Sequence, residues 1–179
     1  MPHPSPGSSA AVPVLTRRCA RPDPPPSGRT DLRLALAADE RTRLRGRRRC
    51  VEGTEVLLQL ERTVPLRPGE WLGTGDGLLW VQVQAAIEPL LRVRGAPLAL
   101  MRAAYHLGNR HVALEVTDTQ LTLLADGVLE AMLQGLGVQV ERSQGPFAPE
   151  PGAYGSAGLH SYRHPHSHSH APVPPEPQP

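Results

Sequence analysis

The sequence predicts an α+β chain: a small N-terminal all-β domain followed by a ferredoxin-like βαββαβ domain, between a disordered N-terminal extension and a His-rich C-terminal tail. Three observations lead there. The 179 residues hold 21 prolines and 17 glycines, and the excess of proline gathers at the two ends, which leaves roughly residues 31–150 to build a core. Between 31 and 87, short runs of alternating apolar residues are separated by Gly and Pro turns, the pattern of small β modules. From residue 88 onward, two stretches with helical spacing interrupt strand-like runs in the order β-α-β-β-α-β, the split unit of ferredoxin-like domains.

Each element follows from its own residues. Residues 1–30 contain eight prolines before Gly28 and no periodic apolar pattern; such a segment buries too little surface to offset its ordering entropy and is expected to be disordered. DLRLALA (31–37) alternates Leu32, Leu34 and Leu36 and suits a strand or a short helix. ERTRLRGRRRC (40–50) carries Arg41, Arg43, Arg45, Arg47, Arg48 and Arg49. GTEVLLQLERTVPL (53–66) reads as a strand with Val56, Leu58 and Leu60 on one face. RPGEW and GTGDG are turn signals, and LLWVQVQAAI (78–87) is a further strand through Leu79, Val81 and Val83.

In residues 88–150, EPLLRVRG (88–95) reads as a strand. APLALMRAAYHLGN (96–109) reads as a helix with Pro97 in its first turn and Gly108 or Asn109 as its C-cap. HVALEV (111–116) and QLTLL (120–124) are strands about the turn TDT. ADGVLEAMLQGLG (125–137) is a second helix, with Val128, Met132 and Leu136 at spacing four, stopped by Gly137. VQVERSQGPF (138–147) closes the sheet. Residues 151–179 form a flexible tail in which His160, His164, His166, His168 and His170 are clustered.

Bulk properties exclude several classes. All 19 cationic side chains are arginine and the formal net charge is +2, too small a field to draw nucleic acid or an acidic membrane. No apolar run approaches the ~20 residues of a membrane span. Ala10–Leu15 is too short for a secretion signal and precedes Arg17 and Arg18, the wrong order. Cys19 and Cys50 stand apart, so neither a disulfide framework nor a CxxC pair is present. A soluble, cytoplasmic protein is expected.

The tail histidines carry the strongest chemical signal. Neutral imidazole is a borderline ligand for Zn²⁺, Ni²⁺, Cu²⁺ and Fe²⁺, and the alternation of His164, His166, His168 and His170 lets a flexible segment wrap an ion loosely. Because imidazole must be neutral to coordinate, affinity should collapse as pH falls through about 6.5. In the folded part, His106 and His111 flank the turn LGN. A single imidazole per chain holds an ion weakly, but if this turn lies on the two-fold axis of a dimer, His111 and its symmetry mate form a pair, completed by tail histidines or water.

Other constellations are weak. HExxH, GxxxxGK[ST] and GxSxG are absent, and GTGDG reads as a hairpin turn, since no helix follows it. Asp118, Asp126 and Glu130 show no pairing for acid–base catalysis, so the chain is not expected to be an enzyme. The arginine run 41–49 lacks a neighbouring aromatic on which to stack a base; it reads as a solvated face or a docking surface for an acidic protein.

At Tyr105-His106-Leu107-Gly108-Asn109-Arg110-His111-Val112 the chain closely resembles the signature of the urease accessory protein E family, nickel metallochaperones of urease maturation. ERTRLRGRRRC, GTEVLLQL and LRPGE look like that family's N-terminal domain, DGVLEAML (126–133) like its second C-terminal helix, and GPFAPEPGAYG (145–155) like its C-terminal linker. The likeness covers roughly residues 32–170. It implies a homodimer joined through the ferredoxin-like domains (88–150), with His111 paired across the two-fold axis to bind one Ni²⁺, for which Zn²⁺ or Cu²⁺ compete. His160, His164, His166, His168 and His170 would help, and the β domain (31–87) would contact other urease accessory proteins. Delivery would run through a complex that includes a GTPase, and finally to urease. Leu124, Ala125 and Gly127 stand where some members carry extra histidines, so an auxiliary site there is not expected. The competing reading is a general zinc or nickel storage protein working mainly through the tail.

Overall fold

The computed structural model describes residues 11–20, 30–62 and 64–151. Among the described residues, ten strands form two separate sheets. The first holds β1 (Val14–Cys19), β2 (Thr30–Leu36), β3 (Arg45–Arg49), β4 (Glu55–Gln59), β5 (Trp71–Thr74) and β6 (Leu79–Ala85), in the spatial order β2-β6-β5-β1-β4-β3. The β2/β6 and β1/β4 pairs are parallel and the rest antiparallel. The alternation in the sequence decides which side chains go inside: Leu32, Leu34 and Leu36 of β2, Val56 and Leu58 of β4, and Val81 and Val83 of β6 meet Leu15, Leu60, Leu66 and Leu72 in one core. The 31–37 run is therefore a strand and not a helix. GTGDG is the β5–β6 hairpin turn. Gly77 adopts φ 74° there, and the Asp76 carboxylate accepts from the Leu78 N–H at 3.0 Å.

The expected disorder of residues 1–30 is corrected at β1. Val14–Cys19 lies inside the sheet, flanked by β4 and β5, with Leu15 fully buried. Its local pattern is too short to read because it is fixed by partners remote in sequence. The Arg18 guanidinium, which makes the run look polar, forks onto Glu70 at 2.9 and 3.1 Å and donates to the carbonyls of Val64 and Pro65 at 2.8 and 2.9 Å. Residues 1–10 and 21–29 lie outside the described residues.

Arg41 is the second correction. Expected as part of a solvated arginine face, it is 3% exposed, in a short 3₁₀ turn (Glu40–Thr42) between β2 and β3. Its guanidinium donates to the Leu36 carbonyl at 3.0 Å and, beyond the second sheet, to the Phe147 carbonyl at 2.6 Å. Burial pulls its pKa down, while the carboxylates of Glu88 and then Glu115 pull it back up.

One tight contact in the first sheet is open to test. An ideal Cβ on Gly73 would fall 2.9 Å from the Trp80 ring, which is itself buried, donates its Nε1–H to the Gly77 carbonyl at 3.0 Å and lies under the Arg17 guanidinium at 5.1 Å. Gly73→Ala should cost about 1–3 kcal/mol of overpacking, read as a lower urea midpoint with an unchanged slope.

The second sheet holds β7 (Ile87–Arg94), β8 (Glu115–Val116), β9 (Gln120–Leu124) and β10 (Gln139–Pro146), ordered β10-β7-β9-β8 and antiparallel throughout. With α1 (Pro97–Gly108) after β7 and α2 (Gly127–Gly135) after β9, this is the ferredoxin-like arrangement. Leu91 and Val93 of β7 and Leu121 and Leu123 of β9 pack with Leu100, Ala103 and Leu107 of α1 and Leu133 of α2.

The stripe expected on α2 is corrected at Val128, which is 78% exposed. The packed face is Leu129, Met132, Leu133 and Leu136. At 100° per residue, Val128 points about 140° away from Leu133, whereas Leu129 and Leu136 stay within about 60° of it. β8 is also shorter than HVALEV, because residues 109–111 still belong to the turn that ends α1.

Candidate metal site

α1 begins as the sequence indicates, with Pro97 in its first turn, and Asn109 stands at its C-cap. The chain reverses two residues further on. The His111 N–H donates to the Gly108 carbonyl at 2.9 Å and the Val112 N–H reaches back to the Leu107 carbonyl at 3.2 Å, the bond pair of a Schellman motif. Val112 then packs against the core that contains Leu107, the apolar contact that commonly closes this motif. His111 therefore occupies the left-handed position, at φ 56°, which glycine normally fills. It is the one non-glycine residue with positive φ among the described residues. A left-handed conformation costs an L-residue roughly 1–2 kcal/mol, and such strain persists most often at functional positions. The side chain of His111 is exposed.

His106 differs. It sits in the last turn of α1, half-buried, with its ring edge-on to Tyr105 at 5.5 Å and 75°. Its carbonyl accepts from Arg110 Nη1 at 3.0 Å, so its surroundings are those of a packed helix-end residue. Among the described residues, no three His, Cys, Asp or Glu side chains gather to hold an ion within one chain. His160, His164, His166, His168 and His170 lie outside the described residues.

The sulfur of Cys50 is a poor candidate ligand. Cys50 is buried, and burial followed by the nearby Glu52 charge pushes its thiol up to about 11. The carboxylates near α2 are committed elsewhere. Asp126 is the N-cap, with Oδ1 accepting from the N–H groups of Val128 and Leu129 at 2.8 Å each. Glu130 is bound by Arg142 of β10, at 3.0 Å from Nε, and that guanidinium holds its carboxyl below the usual carboxylate range. Asp126→Ala should therefore cost about 1 kcal/mol through the lost cap, measured by thermal unfolding, and leave metal binding unchanged.

Two placements were not legible in the sequence. Past β10, the Ala148 N–H donates to Glu115 Oε1 and the Glu150 N–H donates to the Leu114 carbonyl at 2.7 Å. The chain thus leaves the fold beside residue 114, three positions from His111. On α1, Leu98, Met101 and Tyr105 remain 55%, 62% and 67% exposed; their i, i+3, i+7 spacing makes one apolar stripe running toward the helix end that bears His111. The helical period was visible, but not which of its apolar residues the sheet would leave uncovered.

Two sheets, one of them ferredoxin-like, define a two-domain α+β protein with an exposed imidazole at a strained helix end. Residues 15–86 match the family model described as UreE urease accessory protein, N-terminal domain, and residues 88–171 the corresponding C-terminal domain. The chain is 55% identical over 146 residues to the urease accessory protein UreE of Parasynechococcus marenigrum (strain WH8102), covering 80% of this chain and 94% of that one. It is 52% identical over 143 residues to that of Synechococcus sp. (strain CC9311), with 79% and 92% covered, and 47% identical over 135 residues to that of Nitrosococcus oceani, with 75% and 80% covered. The chain belongs to the UreE urease accessory protein family, and is a urease-maturation chaperone by that membership.

Proposed function

We propose that the chain is a cytoplasmic nickel metallochaperone, not an enzyme, that carries Ni²⁺ toward the urease active site, with the ion held between the His111 residues of two subunits and helped by tail histidines. The observation that carries this reading is the exposed imidazole of His111 in a backbone position where glycine would be less strained.

Two further features support it. The apolar stripe Leu98, Met101 and Tyr105 suits a second copy of the chain, and burying it would bring two helix ends together. The exit of the chain beside Leu114 starts the tail close to His111, and residues 151–160 can span up to ~30 Å, so His160 and the histidines after it can reach the ion. No helix among the described residues is long and apolar enough to cross a membrane.

The chemistry suits transfer. An all-nitrogen site takes Cu²⁺ more tightly than Ni²⁺ or Zn²⁺, so selectivity for nickel rests on geometry and supply. A surface ion partly held by tail ligands is exchanged stepwise, and a receiving accessory protein, the GTPase among them, displaces tail histidines one at a time on the way to urease.

Calorimetric titration with Ni²⁺, read beside the solution mass, tests the reading: one tight ion per two chains is expected. A monomer that keeps the tight site overturns it. Truncation after Gly158 should mainly lower the number of ions bound and leave the tight site. Loss of nearly all binding on truncation would instead establish a storage protein that works through its tail.

A further inference from the structure

β3 is the last strand of its sheet and pairs only with β4 among the described residues. Its ladder has a definite polarity. The Leu57 N–H turns away to the Pro13 carbonyl at 2.8 Å, and the Leu60 N–H meets the Leu44 carbonyl at 3.1 Å. By the alternation of an antiparallel pair, Leu44, Gly46 and Arg48 direct their backbone groups at β4, and Arg45, Arg47 and Arg49 direct theirs outward. The same three residues put exposed side chains on the solvent face, opposite Gln59, Leu57 and Glu55, while Gly46 and Arg48 lie opposite the buried Leu58 and Val56.

The charge on this edge is of one sign, and one of its outward acceptors is already taken. Arg47 and Arg49 share the single carboxylate of Glu55, at 3.8 and 3.1 Å, and Arg45 makes no ion pair among the described residues. Arg48 folds back along the strand, so that its Nη1 donates to the Arg47 carbonyl at 2.8 Å. It thereby occupies an acceptor of the open edge and leaves its own buried Nε without a partner among the described residues. The edge therefore offers positive charge and three outward N–H groups against fewer open carbonyls. Charges on an edge strand also deter aggregation, but a guanidinium that covers an edge acceptor biases the edge toward a partner rich in acceptors.

We propose that the β3 edge receives an extended acidic segment of a partner protein, added as a further strand with carboxylates at alternate positions facing Arg45, Arg47 and Arg49. Alternate residues of a strand are about 6.6–6.8 Å apart, so a Glu-x-Glu-x-Glu segment repeats at the arginine spacing. Main-chain bonds to the outward N–H groups supply affinity, and the charges select the sequence. A nucleic acid strand would match the charge but finds no aromatic side chain on β3 or β4 to stack on.

The test is fluorescence anisotropy of the full chain with a labelled peptide Thr-Glu-Thr-Glu-Thr-Glu-Thr, against Thr-Thr-Glu-Glu-Glu-Thr-Thr of equal composition. The alternating peptide should bind about tenfold more tightly, a difference of about 1.4 kcal/mol, and Arg45→Ala with Arg49→Ala should remove that preference. Arg47→Ala and Arg47→Pro lose the same charge, but only proline removes the outward N–H, which the native ladder does not use; Arg47→Pro should bind more weakly than Arg47→Ala. In the unmutated protein, the peptide should slow amide exchange at Arg45, Arg47 and Arg49, a readout independent of whether the proline variant folds. Equal binding of the two peptides, unchanged exchange at those amides, or tighter binding of labelled oligothymidine overturns the proposal. None of these outcomes bears on the metal site, which lies in the other domain.

Discussion

His111→Gly is expected to make the apoprotein more stable while removing the tight nickel site proposed above. The left-handed backbone at φ 56° costs a β-carbon-bearing residue roughly 1–2 kcal/mol. Glycine returns part of that gain through the greater freedom of its unfolded chain, about 0.4–1 kcal/mol. The net gain should be about 0.5–1 kcal/mol, seen as a higher denaturant midpoint measured in chelator. The Schellman bonds from His111 to Gly108 and from Val112 to Leu107 are main-chain bonds and survive the change. Losing both central imidazoles of a dimer should weaken nickel binding by more than the roughly 10–100-fold that outer-shell changes cost. His111→Ala separates the two effects, because alanine keeps the backbone strain and loses the ligand; its stability should stay near that of the parent. A glycine variant that still takes up one tight ion per two chains would place the site elsewhere.

The second large effect is expected at Arg41. Its guanidinium ties the carbonyl of Leu36, at the end of β2, to that of Phe147, just past β10, and so spans the two domains. Arg41→Met fills similar space but orphans two buried acceptors, each costing about 1–3 kcal/mol. Removing a buried cation relieves some desolvation, so the net loss should be roughly 2–4 kcal/mol, measured by urea unfolding. A second consequence follows from position. Phe147 begins the stretch that bonds Glu115 and Leu114 and sets where the tail departs. Loosening it should weaken the contribution proposed for the tail histidines more than that proposed for His111. Chymotrypsin should then cut after Phe147 sooner than in the parent, and an unchanged cutting rate would show that the tail origin is fixed without Arg41.

Much of the β domain was legible because half-buried strands repeat every two residues. Leu32, Leu34 and Leu36, or Val56 and Leu58, declare their inward face without any partner in view. The order β-α-β-β-α-β was legible for the same kind of reason, as a switch from period two to period 3.6 and back. Val14–Cys19 was not, because it holds one fully buried apolar residue and two arginines, and partners remote in sequence, Glu70 and two carbonyls among them, make Arg18 acceptable inside the sheet. The exposure of Val128 was missed because a spacing of four drifts around a helix, so that only contact with the sheet picks out the buried arc.

The candidate site divides in the same way. The octapeptide Tyr105–Val112 and the histidine-rich end were plain in the amino-acid order, which by itself determined the two domain types and the imidazole chemistry. That His111 is strained and exposed, that Arg41 turns inward, that the tail departs beside Leu114 and that Leu98, Met101 and Tyr105 remain uncovered were decided only when the chain packed. The reason is physical: periodicity and turn chemistry act between near neighbours and are written in consecutive residues. Burial, a helix end closed by long-range apolar contact and the pairing of an arginine with a distant carbonyl depend on segments that meet only in the folded state.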